Sequence, residues 1–213
     1  MDKLIFTRHG ESEANVTATI SNRDLPHALT YTGRLQATEM AHVLEPWGVQ
    51  RIYSSPILRA RETAQIVADV CGLEVTLVDA LREFDCGVME GRADDEAWAA
   101  NRQAVLAWES GDYDYRIPGG ESFQDMRSRF VPFVSHLLTE RGQGCILLVS
   151  HGAVLHMMLP EVLSNVEYAF SRWHPLRNCA RVVARRHKDG LICEEWDGHV
   201  AESTTGRRVF SHT

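Results

Sequence analysis

The chain predicts a three-layer α/β/α sandwich with a mostly parallel central sheet and a helical lid insertion. Three observations carry this expectation. Short apolar runs, Leu4-Ile5-Phe6 and Cys145-Ile146-Leu147-Leu148-Val149, have the make-up of strands buried on both faces. Such runs alternate with longer stretches of helical period, the order that builds a parallel sheet covered by helices. Two of the runs lead into His9-Gly10 and His151-Gly152, at the strand ends where open parallel sheets build their sites.

A chain of 213 residues supports a buried core, and 1–213 is read as one domain with 84–144 as a lid or cap insertion. The hydrophobic fraction of 44% and charged fraction of 24% are those of a globular protein. A formal net charge of −7 argues against nucleic acid and anionic membrane as partners. No apolar stretch approaches the roughly 20 residues that span a bilayer. No leader pattern precedes the first strand. The five cysteines, Cys71, Cys86, Cys145, Cys179 and Cys193, lack CxxC spacing and read as reduced thiols in a cytoplasmic protein.

The elements follow in order. Residues 3–7 form the first strand, and 11–31 are mostly polar loop over the strand ends. A helix starts near Thr32, with Leu35, Met40, Val43 and Leu44 as apolar positions, and Pro46 and Gly48 stop it. Arg51 to Ser54 is a short strand. Pro56 suits the first turn of a helix running to Cys71, with Gly72 as its stop. Residues 74–78 are a third strand. Residues 84–92 are loop and 94–109 helical, and Gly111, Pro118 and Gly119 break the next stretch. Gly120 to Arg141 reads as a long helix with Phe123, Met126, Phe130, Val134 and Leu137 on one face and Pro132 as a kink point. A strand at 145–150 precedes a helix from about Ala153. Residues 179–186 and 191–196 flank Lys188-Asp189-Gly190, a hairpin turn whose edge offers a place for a homodimer.

The strand-end residues point to phosphoryl chemistry. Arg8 supplies a planar, permanently charged fork that matches phosphate oxygens. His9 beside it can be a nucleophile, which splits one hard displacement into two easier ones. Its attacking nitrogen must be neutral, so the other needs an acceptor such as a backbone carbonyl. Arg59 falls in the first turn after a strand, where a helix N-terminus also favours an anion. Arg61 points to another face and reads as a surface arginine. Glu83 follows the third strand, and the charge of a bound phosphate favours its protonated form, which suits a general acid. The remaining histidines show no metal-ligand spacing. Gly10-Glu11-Ser12-Glu13-Ala14 is not a GxSxG elbow, which disfavours a serine hydrolase.

In these motifs the chain resembles the histidine phosphatase superfamily, in its phosphoglycerate-mutase-like branch. The resemblance rests on Arg8-His9-Gly10-Glu11-Ser12 with Asn15, on Leu29-Thr30 with Gly33 and Gln36-Ala37, and on Ser55-Pro56 with Arg59-Ala60 and Thr63-Ala64. Glu83-Phe84 with Gly87 and Glu90-Gly91, Gly120-Glu121-Ser122 and Ser150-His151-Gly152 complete it, in family order from residue 3 to about 185. The resemblance implies His9 as the phosphorylated nucleophile and Glu83 as the proton donor. Arg8, Arg59 and His151 resemble the charged pocket for the phosphoryl group. Asn15, Ser21 and Gly152 match its further phosphate contacts. Gly152-Ala153 follows the second histidine where the acid-phosphatase branch has an aspartate, so Glu83 keeps the donor's role. The family chemistry needs no metal and no cofactor.

The fate of the phosphoryl group depends on the lid. Only 67 residues separate Glu83 from His151, short for a mutase, and they hold six arginines, no lysine and eleven acidic residues. That balance suits hydrolysis of a small phosphorylated metabolite over a phosphoglycerate mutase, which must also hold a carboxylate. Arg92, Arg102 and Arg116 are the candidates for reading such a carboxylate. A non-catalytic sensor of a phosphorylated ligand is the other alternative, and it has no use for both His9 and Glu83.

Overall fold

The computed structural model describes residues 3–139, 144–188, 190–200, 202–204 and 207–209. In chain order its elements are β1 (Lys3–Arg8), α1 (Glu13–Val16), α2 (Tyr31–Leu44), β2 (Val49–Ser54), α3 (Leu58–Cys71) and β3 (Val75–Leu77). There follow α4 (Asp95–Glu109), α5 (Phe123–Thr139), β4 (Cys145–Ser150), α6 (Gly152–Val162) and α7 (Tyr168–Trp173). The chain ends in β5 (Arg181–His187), β6 (Gly190–Trp196), β7 (His199–Val200), β8 (Glu202–Thr204) and β9 (Arg207–Val209).

Among the described residues the main sheet has the order β3-β2-β4-β1-β5-β6-β7. The first four strands of that order are mutually parallel, and β5, β6 and β7 continue the sheet antiparallel. Alternation along β1 explains the layers. Leu4 and Phe6 join one core with α4, α5 and α6, while Ile5 joins the other with α2 and α3. All three side chains are buried, as a doubly covered strand requires. The fold is the expected α/β/α sandwich.

Several boundaries differ from the expectation for local reasons. Thr30 accepts a hydrogen bond from Gly33 N and starts α2 at Tyr31. Leu35 and Val43 are exposed on that helix, and its buried face is Gly33, Ala37, Met40, Ala41 and Leu44. Pro56 precedes α3 instead of opening it, because Ser55 Oγ takes the Ile57 N–H in a turn and helical backbone begins at Leu58. The long helix starts at Phe123, not Gly120. Ser122 and Asp125 exchange side-chain and backbone hydrogen bonds at its start, and a side chain at Gly120 would overlap Asp85 O. Residues 140 and 141, given to that helix, lie outside the described residues, as does Asp189 of the hairpin turn. Cys179 has φ +56°, so β5 starts at Arg181.

The segment 84–144 divides between two jobs. α5 lies in the layer on the sheet, with Phe130 stacked on Phe6 at 6.3 Å. α4 covers the strand ends, where Trp98 Nε1 donates to Ala18 O at 2.6 Å. Among the described residues no helix is long and apolar enough to cross a membrane.

Candidate active site

Because β1, β2, β3 and β4 are parallel, their C-terminal ends share one edge of the sheet. His9 follows β1, Ser55 to Arg59 follow β2, Glu83 follows β3 by way of a turn, and His151 follows β4. The ladder continues past the strand ends, with His9 N donating to Ser150 O at 3.0 Å and Ser55 N to Val149 O at 2.9 Å. Asn178 Nδ2 and Cys179 N donate to His9 O, which pins the loop from the other side. Gly10 and Gly33 allow the close backbone crossing. A Cβ on Gly10 would stand 2.5 Å from Gly33 O.

His9 is 2% exposed. Its Nδ1 donates to Gly10 O at 2.6 Å, so the ring hydrogen is on Nδ1 and the lone pair on Nε2. Arg59 Nε donates to that Nε2 at 2.9 Å. Burial, with the charges of Arg59 and Arg8 adding, holds His9 well below the ordinary histidine range. Burial does the same to His151, again with Arg59 adding. The two rings are 5.2 Å apart, and His151 Nε2 meets Ser55 Oγ at 2.7 Å.

The cations are held by backbone. Arg59 donates to Ser21 O at 2.5 Å, and burial lowers its guanidinium to about 10. Arg8 donates to Leu176 O at 2.9 Å, and the absence of a side chain at Gly152 leaves room for its guanidinium. Glu83 is buried and accepts from Ala153 N at 2.9 Å and Val154 N at 2.7 Å. It therefore caps the N-terminus of α6. Two buried polar atoms in this group have no partner, Arg8 Nε and His151 Nδ1.

A cavity of about 290 Å³ opens on this edge, lined at one end by Arg8, His9, Arg59 and Glu83. Asn15, Ser21 and Gly152 also line it. Asn15 Oδ1 accepts from Ser12 and Asn178, which leaves its amide hydrogens as the available donors. The Ser21 hydroxyl meets His27 Nδ1 at 2.8 Å, and the Ser21 carbonyl holds Arg59. Among the described residues no group of three or more His, Cys, Asp or Glu is placed to hold a metal ion. Cys86 is buried, and burial pushes its thiol up to about 12, which makes it unreactive. Sequence reasoning missed Ser55 and Thr63 as partners, although both stand in the quoted motifs. Thr63 Oγ1 accepts from Gly10 N, 53 residues away. Trp98, Asn101 and His156 also line the cavity.

The α/β sandwich thus brings two buried histidines and two arginines to the ends of its parallel strands. The sequence profile of the histidine phosphatase superfamily (branch 1) matches residues 4–198, and the chain belongs to that superfamily. A relative from Salmonella paratyphi B, named probable phosphoglycerate mutase GpmB, is 36% identical over 188 residues, 84% of this chain and 83% of that protein. The solved structure of a mycobacterial glucosyl-3-phosphoglycerate phosphatase with VO3 matches with a TM-score of 0.79 at 26% identity, covering 92% of this chain and 99% of that one. The alpha-ribazole phosphatase of Shigella flexneri shares the fold, with a TM-score of 0.77 at 24% identity over 95% of this chain and 100% of that one.

Proposed function

We propose that the protein is a phosphomonoesterase that hydrolyses a small organic phosphate through a phosphohistidine on His9. The observation that carries this reading is the unpartnered pair beside the nucleophile, Arg8 Nε and His151 Nδ1. Buried polar atoms without partners are costly, and a bound phosphoryl group is the partner this reading gives them; Arg8 lines the cavity, while His151 is fully buried behind its lining. Ser55 Oγ accepts from Ile57 N and meets His151 Nε2 at 2.7 Å; in this reading the hydroxyl gives its hydrogen to Nε2. The hydrogen of the His151 ring then lies on Nδ1, as a donor to the phosphoryl group.

On binding, Arg59 Nε moves from His9 Nε2 to a phosphoryl oxygen and frees the lone pair. Nε2 bonds to phosphorus as the bond from phosphorus to the ester oxygen breaks, and Glu83 gives its proton to that oxygen. Water then attacks the phosphohistidine, Glu83 takes a proton from it, and the phosphorus–nitrogen bond breaks. One water is consumed, and one alcohol and one inorganic phosphate are released. Arg8, Arg59 and His151 stabilise the charge on the phosphoryl oxygens throughout. Asn15 and Gly152 add N–H donors.

The surroundings favour hydrolysis over a mutase's transfer. Arg92 is engaged with Asp94 and Glu96, and Arg116 with Asp125. Arg102 is exposed in a neighbouring depression beyond Asn101. None of the three lines the cavity around His9. The test is turnover of p-nitrophenyl phosphate in EDTA by wild type and His9→Ala. Hydrolysis that persists in EDTA and vanishes in the variant is expected. Full activity in His9→Ala overturns the phosphohistidine, and activity abolished by EDTA overturns metal independence. A phosphate-release assay with 3-phosphoglycerate, with and without a bisphosphoglycerate primer, tests the mutase reading.

A further inference from the structure

We infer that Glu90 is a positioning residue for the phosphoryl site, holding Arg59 from the far side of a single peptide group. This deepens the phosphomonoesterase reading and rests on its use of Arg59 to grip the phosphoryl oxygens. Glu90 belongs to the Glu90-Gly91 pair of the sequence motifs and does not line the cavity around His9.

Each carboxylate oxygen of Glu90 accepts a backbone N–H. Oε2 takes Asn22 N at 2.8 Å, and Oε1 takes Cys86 N at 2.9 Å. The second bond closes a local turn of four residues. The first reaches 68 residues back along the chain, to the segment that carries Ser21. The Asn22 N–H and the Ser21 carbonyl belong to one peptide group. It is trans, so its two polar ends point in opposite directions. Arg59 Nη1 donates to the carbonyl end, and Glu90 accepts from the amide end. A buried cation and a half-buried carboxylate thus stand at the two ends of one peptide dipole. Each polarises it in the sense that strengthens the other's bond.

Neighbouring bonds give that peptide little freedom. Ile20 N donates to Arg92 O and Ile20 O accepts from Gly91 N, each at 2.8 Å. Asn22 Nδ2 donates to Cys86 Sγ at 3.3 Å, and Asn22 Oδ1 receives Arg59 Nη2 at 3.5 Å. In the proposed reaction Arg59 Nε leaves His9 Nε2 for a phosphoryl oxygen. The Nη1 bond to Ser21 O is the pivot of that turn, and Glu90 fixes the pivot. Burial lowers the Arg59 guanidinium, and the charges of Glu83 and Glu90 oppose that effect. Because two N–H donors converge on Glu90, Glu90→Gln must set its amide nitrogen against one of them.

The experiment is steady-state kinetics on p-nitrophenyl phosphate with wild type, Glu90→Gln, Arg59→Met and the double variant, and with inorganic phosphate as inhibitor. The leaving group of this substrate departs without a proton, so a disturbance of Glu83 is not what the rates read. Glu90→Gln should lower kcat/KM by about tenfold or more and raise the Ki of phosphate by about the same factor. In the Arg59→Met background the same change should cost about twofold or less, because its effect runs through Arg59. A residue that only supports the fold would leave fewer active molecules. It would lower kcat alone, by one factor in both backgrounds, with KM and Ki unchanged. An unchanged Ki, or equal losses in the two backgrounds, overturns the proposal. Should Arg59→Met be too slow to assay, the Ki decides. Should Glu90→Gln fold poorly, Glu90→Asp, which keeps the charge on a shorter arm, is put to the same criteria. If wild type does not turn over p-nitrophenyl phosphate, the phosphomonoesterase reading fails. If it does while the Ki stays fixed, the role of Glu90 alone fails.

Discussion

Glu83 has two loyalties. Its carboxylate caps α6 through Ala153 N and Val154 N, and its proposed task is to protonate the leaving oxygen. Glu83→Gln removes the proton and keeps the size. The value of kcat/KM, which reports the first chemical step, should fall by about 10²- to 10⁴-fold on an alkyl phosphate. The fall should be much smaller on p-nitrophenyl phosphate, whose leaving group departs without a proton. Equal losses on both substrates would sink the proton-donor role. Gly10 answers to sterics instead. Gly10→Ala forces a Cβ to 2.5 Å from the Gly33 carbonyl, and backbone on that side has little room to yield. Urea denaturation should show a loss of about 1–3 kcal/mol, and wild-type stability would refute the close crossing. At this scale the sequence was most legible where chemistry-bearing residues stand side by side, as in Arg8-His9-Gly10. It was least legible where a role depends on a distant partner. Nothing near Ser55 in the chain announces that its hydroxyl meets His151, 96 residues on.

Elements carry the next constraint. Glu83 stands on an irregular loop, and α5 holds that loop in place. Arg129 Nη1 donates to Ala80 O and Arg82 O, each at 2.9 Å, and its other nitrogens grip Glu121 at 2.9 Å. Glu121 in turn accepts from Asp85 N at 3.1 Å. Arg129→Met should therefore loosen Glu83, the proposed general acid, without touching its carboxylate. A misplacement of about 1 Å can cost about 10²-fold, so kcat/KM on an alkyl phosphate should fall by about 10- to 100-fold. The same variant should lose less on p-nitrophenyl phosphate, the signature expected of Glu83→Gln. A loss equal on both substrates would mean that Arg129 only supports the fold. The elements themselves were legible in proportion to their length. β4 matched its expected span because an unbroken apolar run is unambiguous. α1 and α7, of 4 and 6 residues, are too short to show a period. Leu35 and Val43 misled because burial on α2 is decided by small residues, Gly33, Ala37 and Ala41, that let the helix lie close.

The whole molecule brings together strands that the chain keeps far apart. β4 lies between β1 and β2, so His151 arrives beside His9 by way of a strand that starts at Cys145. Single strands were readable from their composition, but this order and the antiparallel half of the sheet were not, because ladder partners carry no local signal. The convergence buries two histidines among two arginines, and that has a thermodynamic consequence. Both rings titrate well below the ordinary histidine value, first because of burial and then because of the Arg59 charge. In the unfolded chain they take up protons at about pH 6.5. Between that value and the lower folded ones, the unfolded state binds more protons, so stability is full above about pH 6.5 and falls as the solution is acidified below it. Each histidine contributes to that fall in the same direction. Urea denaturation in phosphate-free buffer should show stability falling between pH 7.5 and 5.5. His9→Asn or His151→Asn should each remove about half of that pH dependence, whatever it does to stability at pH 7.5. Carboxylates that titrate in the same range contribute equally to wild type and variants, so the difference isolates the histidine. An unchanged pH dependence in both variants would show that the site accommodates the imidazolium form, against the burial that holds His9 below the ordinary histidine range and against its proposed role as a neutral nucleophile.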